Sequence, residues 1–159
     1  MSSPGPMAEP HGVADRAPQP LLPIEFALPR YLQSAIGKRC CRIAVGRQRT
    51  LSVGFGEFVR RPTRHNPDLV GPEWEIGTYV SAWRVVRDGR VLVGSTTSAE
   101  SDVELQRRVQ AALGRIPWSF EMISTLDLRI LLDDRTCIDL LATTSDDDEM
   151  FHAFGPDLF

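Results

Sequence analysis

The amino-acid sequence predicts an α+β domain: mainly one antiparallel, curved sheet of six to eight strands, with one main helix over about residues 99–113. Three observations carry this. Apolar residues alternate with polar ones through most of the chain after Cys41, the period of half-buried strands. An Asp88-Gly89 pair stands between two β-branched runs, the strongest short hairpin signal. A single stretch, opened by Ser101 with Glu104 three residues on, switches to helical spacing.

Taken in order, residues 1–23 hold Pro4, Pro6, Pro10, Pro18, Pro20 and Pro23 among small and polar residues. Such a composition buries too little apolar surface to offset chain entropy, so a disordered tail is expected, leaving one domain over 24–159. Ile24 to Ile36 enters as an extended piece followed by a short helical turn ending at Gly37. Cys41, Ile43 and Val45, then Leu51, Val53 and Phe55, form a hairpin, with Cys41 in the core and Cys40 half-exposed. Gly54 and Gly56 mark a bulge or close backbone approach. Arg61 to Pro72 reads as a loop. The run from Trp74 to Val86 reaches the Asp88-Gly89 turn and returns through Val91, Leu92 and Val93.

After the helix, Ile116, Trp118, Phe120 and Met122 alternate, Leu126 to Leu132 follows, and Ile138 to Leu141 runs back, a three-strand meander. Asp146 to Glu149 is an acidic loop, and Phe151 to Phe159 an edge strand or docked tail. Moving 75 positions carries Cys41, Ile43 and Val45 onto Ile116, Trp118 and Phe120, and Leu51, Val53 and Phe55 onto Leu126, Leu128 and Ile130. The shared apolar phase raises a ββ pseudo-repeat, whose two hairpins would either extend one curved sheet or face each other across a core.

Composition narrows the function classes. The net charge of -3 and 42% hydrophobic residues exclude a fully disordered, collagen-like or strongly basic chain, and no apolar stretch reaches a membrane span. Three cysteines, two of them adjacent, make a poor disulfide framework. With no secretory pattern in the first 23 residues, a reducing cytoplasm is expected. Lys38 is the only lysine, a bias that codon composition or Arg-mediated recognition would each produce.

The mild total hides a dipolar chain. Lys38, Arg39, Arg42, Arg47, Arg49, Arg60, Arg61 and Arg64 face only Glu57, whereas acids dominate after Ile116. Cross-strand neutralisation and a partner surface both remain open.

Catalytic constellations are mostly missing: there is no G-x-S-x-G elbow, Walker loop, G-x-G-x-x-G or paired-His metal motif, so no cofactor and no metal are expected. His65 with Asp68 or Glu73 is the one candidate acid–base pair, for a hydrolase-type enzyme. Cys40 and Cys41 are a thiolate pair only if adjacent strand positions share a face, which they do not. Ser95 to Ser98 before the helix serves either as a cap or as an anion cradle. Trp83 and Trp118 sit in core phase, and Trp74, beside Pro72 and Glu73, is the tryptophan expected at the surface.

The segments Leu51-Ser52-Val53-Gly54-Phe55-Gly56-Glu57, Trp74-Glu75, Trp83-Arg84, Gly94-Ser95 and Leu126-Asp127-Leu128-Arg129-Ile130 before an acidic turn resemble small bacterial, actinobacterial-like proteins, some of them similar to immunity proteins of toxin systems. The resemblance spans Cys40 to Phe159. It implies a cytoplasmic, non-enzymatic α+β domain that binds another protein, and it brings no site residues with it. The leading expectation is thus an accessory or immunity-like protein that binds a basic protein through Glu73, Trp74, Asp146, Asp147, Asp148 and Glu149. The alternative is a nucleic-acid module using Arg47, Arg49, Arg60, Arg61 and Arg64.

Overall fold

The computed structural model describes residues 30–79, 82–97, 101–143 and 151–156. The proline-rich segment 1–23 and the acidic residues Asp146, Asp147, Asp148 and Glu149 lie outside the described residues. Among the described residues there are nine strands: β1 (Cys40–Val45), β2 (Leu51–Arg60), β3 (Val70–Thr78), β4 (Ala82–Arg87), β5 (Arg90–Gly94), β6 (Pro117–Met122), β7 (Leu128–Leu132), β8 (Thr136–Leu141) and β9 (Phe151–Phe154). The helix α1 (Asp102–Val109) follows β5 and continues as a 3-10 turn, Gln110–Ala112, and a helical stretch at residues 30–32 runs into another 3-10 turn, Gln33–Ala35.

The strands divide into two antiparallel sheets, which corrects the single sheet expected. The first has the order β1-β2-β3-β9 and the second β5-β4-β8-β7-β6. Their inner faces and α1 share one cluster of buried residues, including Ile43, Phe55, Trp74, Trp83, Leu105, Phe120 and Ile138. Phe55 and Phe120 meet edge to face across it, with centroids 6.1 Å apart.

Local signals placed several elements correctly. The Ser101 side chain accepts from the Glu104 amide and caps α1. Asp88 and Gly89 both take positive φ, 49° and 74°, the primed-turn geometry that joins β4 to β5. The run from Trp74 to Val86, however, is not one strand: β3 ends at Thr78 and β4 starts at Ala82 in the other sheet.

Two bulges overturn the expected facing of β1 and β6. A shift between Cys40 and Arg42 turns Cys40 inward, so Cys40 is buried and Cys41 only half-buried, the reverse of the reading above. A shift between Pro117 and Ser119 buries Pro117 and Phe120 and leaves Trp118 58% exposed.

The pseudo-repeat is present at an offset of 77 rather than 75. The β1–β2 pairs Cys40↔Phe55, Arg42↔Gly54, Ile43↔Val53, Ala44↔Ser52 and Val45↔Leu51 recur as Pro117↔Leu132, Ser119↔Leu131, Phe120↔Ile130, Glu121↔Arg129 and Met122↔Leu128, bulge included. The 3-10 turn Gln33–Ala35 recurs as Gln110–Ala112, and each precedes a glycine of positive φ, Gly37 at 80° and Gly114 at 79°. The halves also bond reciprocally: the Gly37 N–H donates to the Pro117 carbonyl at 3.0 Å, and the Gly114 N–H to the Cys40 carbonyl at 2.8 Å. This is the pattern of a pseudo-two-fold axis.

The axis extends to the outer strands. The β3 residues Ile76 and Gly77 pair with Ala153 and His152 of β9, as the β8 residues Ile138 and Asp139 pair with Val85 and Arg84 of β4. Each half therefore contributes its fourth strand to the sheet of the other.

Candidate binding surface

The outer faces of the two sheets differ in chemistry at equivalent places. In the second sheet, Asp139 is fully buried between Arg84 and Arg129 from the neighbouring strands. Arg84 Nε donates to Oδ2 at 2.7 Å, and Arg129 donates through Nε to Oδ1 at 2.6 Å and through Nη2 to Oδ2 at 3.0 Å. Burial pushes the Asp139 carboxyl up, but the hydrogen bonds from Arg129 and Arg84 outweigh it and hold it below its ordinary value. The Arg129 guanidinium is raised by the same bond to Asp139.

In the first sheet the corresponding positions carry no ion triad. Gly77 stands where Asp139 stands, and the His152 imidazole occupies the space a side chain there would need, 2.5 Å from the position of a Cβ. Tyr79, His152 and Phe154 form a row of rings, with centroid separations of 4.6 and 4.9 Å. Beside it the Glu75 carboxylate accepts from Ser52 Oγ at 2.6 Å and lies 3.9 Å from Arg42. A groove of about 360 Å³ opens there between Arg42, Arg61, Leu69, Val70, Glu75 and Phe154.

The wall of this groove is the end of the β2–β3 hairpin. Residues 57–60 and 62–70 are exposed, while the ladder continues through Phe58↔Pro72, Val59↔Gly71 and Arg60↔Val70. The hairpin thus runs on as a two-stranded ribbon carrying Phe58, Val59, Leu69 and Val70, with Phe58 54% and Val70 51% exposed. The Arg61 guanidinium donates to the Glu73 carbonyl and holds the base of the ribbon.

Among the described residues, those singled out in the sequence are not gathered into one site. Trp74 is fully buried, a correction to the surface position expected: it shares the inward phase of Ile76 and Thr78, and packs against Tyr31 and Gly155. Glu73 pairs with Lys38 at 2.8 Å. Arg49 is a structural clasp; its guanidinium donates to the Ser95 and Thr97 carbonyls at 3.1 and 2.6 Å, and its carbonyl accepts from Trp83 Nε1 at 2.6 Å. Arg47 is exposed before β2, whereas Arg60, Arg61 and Arg64 lie at or beyond its far end, about 30 Å away for a ten-residue strand.

His65 is exposed, and both of its candidate partners are engaged elsewhere: Asp68 accepts from Arg60 at 2.7 Å and Glu73 binds Lys38. Burial, then the neighbouring Cys41, push the Cys40 thiol up to about 12, and burial also raises Cys41 and Cys137, so none is an activated thiolate. Among the described residues, no group of three His, Cys, Asp or Glu side chains is arranged to hold a metal ion, and no helix is long and apolar enough to cross a membrane. The ring row and the apolar ribbon had no forewarning in the sequence; the only signal was four apolar residues, Phe58, Val59, Leu69 and Val70, flanking a polar loop. Comparison with protein-family models, with curated proteins and with solved structures finds no match to this chain.

Proposed function

We propose that this chain is a non-catalytic protein-binding module of the immunity-like or accessory kind, and that it engages its partner through the β2–β3 ribbon and the groove beneath it. The observation that carries this reading is the exposure of Phe58, Val59, Leu69 and Val70 together on one projecting ribbon. Phe58 and Val70 share one face of the ribbon and Val59 and Leu69 the other, and exposed apolar side chains with arginines beside them have the composition of an interface core. The nucleic-acid alternative is weaker, because its arginines stand at both ends of β2 and Arg49 and Arg61 are committed to backbone carbonyls.

A photo-crosslinking residue at position 58 tests this in extract of the cell that makes the protein. A discrete protein adduct that survives nuclease treatment and disappears in the Phe58→Asp/Val70→Asp variant is expected. Equal adducts from both baits, or loss on nuclease treatment, would overturn the reading. Reversing Asp146, Asp147, Asp148 and Glu149 to lysine then reports the partner's charge: a basic partner is released and an acidic one is retained.

A further inference from the structure

We propose that the groove beside Arg42 receives an acidic segment of the partner, one that sets a carboxylate on the Arg42 guanidinium and an apolar side chain against Leu69, Val70 and Phe154. This deepens the reading of the ribbon as a protein-binding surface and rests on it. The site begins as one row of residues across the outer face of the first sheet: Arg42 pairs with Gly54, Gly54 with Glu75, and Glu75 with Phe154. Residues directly opposite one another in antiparallel strands share a face. Gly54 adds no side chain to the row and the Pro72 ring lies against it, so Arg42 reaches past one strand toward Glu75.

The fold does not need this arginine. On the pseudo-two-fold axis the row is matched by Ser119, Leu131, Cys137 and Val86, paired in the same way. That row carries no formal charge, and the second sheet forms around it. Nor does Arg42 hold the first sheet together: it stands 3.9 Å from Glu75, beyond hydrogen-bonding distance, with its side chain 42% exposed, and so open an ion pair stabilises little. Glu75 instead accepts from Ser52 Oγ at 2.6 Å. Among the described residues the Arg42 guanidinium makes no hydrogen bond.

The chemistry of the occupant follows from the lining. Two guanidinium groups, Arg42 and Arg61, and one carboxylate, Glu75, border the groove, which leaves one positive charge in excess. Arg61 is committed to the Glu73 carbonyl, so Arg42 is the cation open to a ligand. Its planar fork of N–H donors matches the two oxygens of a carboxylate. Leu69, Val70 and Phe154 supply an exposed apolar wall, and a mainly apolar cleft with a few placed polar groups is the build of a selective site. One excess charge beside Glu75 suits a monoanion, whereas a phosphate dianion would meet more repulsion from that carboxylate. The chain's own acidic residues 146–149 precede Phe151, which pairs with Thr78, about 10 Å along β3 from the Glu75–Phe154 pair.

Nitrogen–proton correlation NMR of the full chain, titrated with phenylacetate, phenylacetamide and phenethylammonium, tests the selectivity. Amide shifts are expected at Arg42, Leu69, Val70, Glu75 and Phe154. Phenylacetate should bind at least about tenfold more tightly than the amide, the step from a neutral to a charge-assisted hydrogen bond, and the ammonium probe more weakly still. Arg42→Gln should bring acid and amide together, while Arg42→Lys keeps the acid ahead. Equal binding of the three probes, a preference for the ammonium, shifts centred elsewhere, or selectivity that survives Arg42→Gln would each overturn the proposal. The partner is read separately, with the crosslinking residue at position 58, which shares a face with Val70. Arg42→Gln in that bait should lower the adduct several-fold. An adduct of equal yield in both baits would sink the acidic segment and leave the protein-binding reading standing. No adduct from the unsubstituted bait would remove that reading, and a groove still selective for phenylacetate would then take a free carboxylate, which overturns the partner assigned here.

Discussion

Replacing Asp139 by Asn is the sharpest test of how the second sheet is held together. The carboxylate is fully buried and accepts three charge-assisted hydrogen bonds, two from Arg129 and one from Arg84. Removing one member of a buried ion pair costs about 3–5 kcal/mol, because the partner charge is left uncompensated. Here the two guanidinium side chains are 42% and 30% exposed and can recover part of their hydration, which lowers the expected loss to about 2–3 kcal/mol. For a domain of this size that corresponds to a fall in Tm of roughly 6–12 °C. The folded-state pKa of Asp139 lies below its unfolded value. Its contribution is therefore complete above about pH 4 and disappears as pH falls through the folded pKa. Urea unfolding followed by circular dichroism should show the full gap between Asp139→Asn and the unsubstituted chain at pH 7, narrowing steadily in acid. A gap under about 0.5 kcal/mol at pH 7, the scatter of an ordinary surface substitution, or one that does not narrow in acid, would refute the account. Replacing all three residues, Arg84→Met, Asp139→Leu and Arg129→Met, should restore most of the loss, since an apolar cluster of similar volume often matches a buried ion group.

Further outcomes follow from the same structure. Gly37→Ala and Gly114→Ala should each cost about 1 kcal/mol through left-handed backbone strain, since neither site has a crowding neighbour; unequal losses in urea unfolding would count against the internal symmetry. Gly155→Ala would drive a methyl group into the Trp74 ring and should destabilise by about 1–3 kcal/mol, with a change in tryptophan emission; unchanged emission and stability would contradict the packing. Thiol titration at pH 8 should leave Cys40 unreacted until the chain unfolds, because burial lifts its pKa to about 12, and Cys40→Ala should leave the native count of reactive thiols unaltered.

What could be read from the sequence was what is encoded over a few residues. The Asp88-Gly89 turn, the Ser101 cap and the inward phase of Leu128, Ile130 and Leu132 depend on local geometry, and the structure carries all three. The repeat was detectable but misplaced by two positions, because a period of two fixes an offset only as odd or even and cannot separate 75 from 77. The signal that could have separated them was non-periodic: Gln33-Ser34-Ala35-Ile36-Gly37 against Gln110-Ala111-Ala112-Leu113-Gly114. Cys40, Trp74 and Trp118 were misplaced for a related reason, since bulges and the exchange of β4 and β9 depend on strands remote in sequence. Of the candidate surface, the sequence showed only its arginines and four apolar residues flanking a polar loop. That Phe58 and Val70 lie on a ribbon outside the core follows from where the first sheet stops, which no local pattern states.

The exchange of fourth strands also sets an order of events during synthesis. The first sheet needs β9, yet β9 begins at Phe151, long after β3 has ended at Thr78. At about 5–20 residues per second the ribosome takes roughly 4–15 s to make the intervening chain. Throughout that interval β3 presents the edge that β9 will cover, carrying Glu75, Ile76, Gly77 and Thr78. A translational stall between Leu141 and Phe151 would therefore release a chain whose second sheet has all its strands and whose first has an unprotected edge.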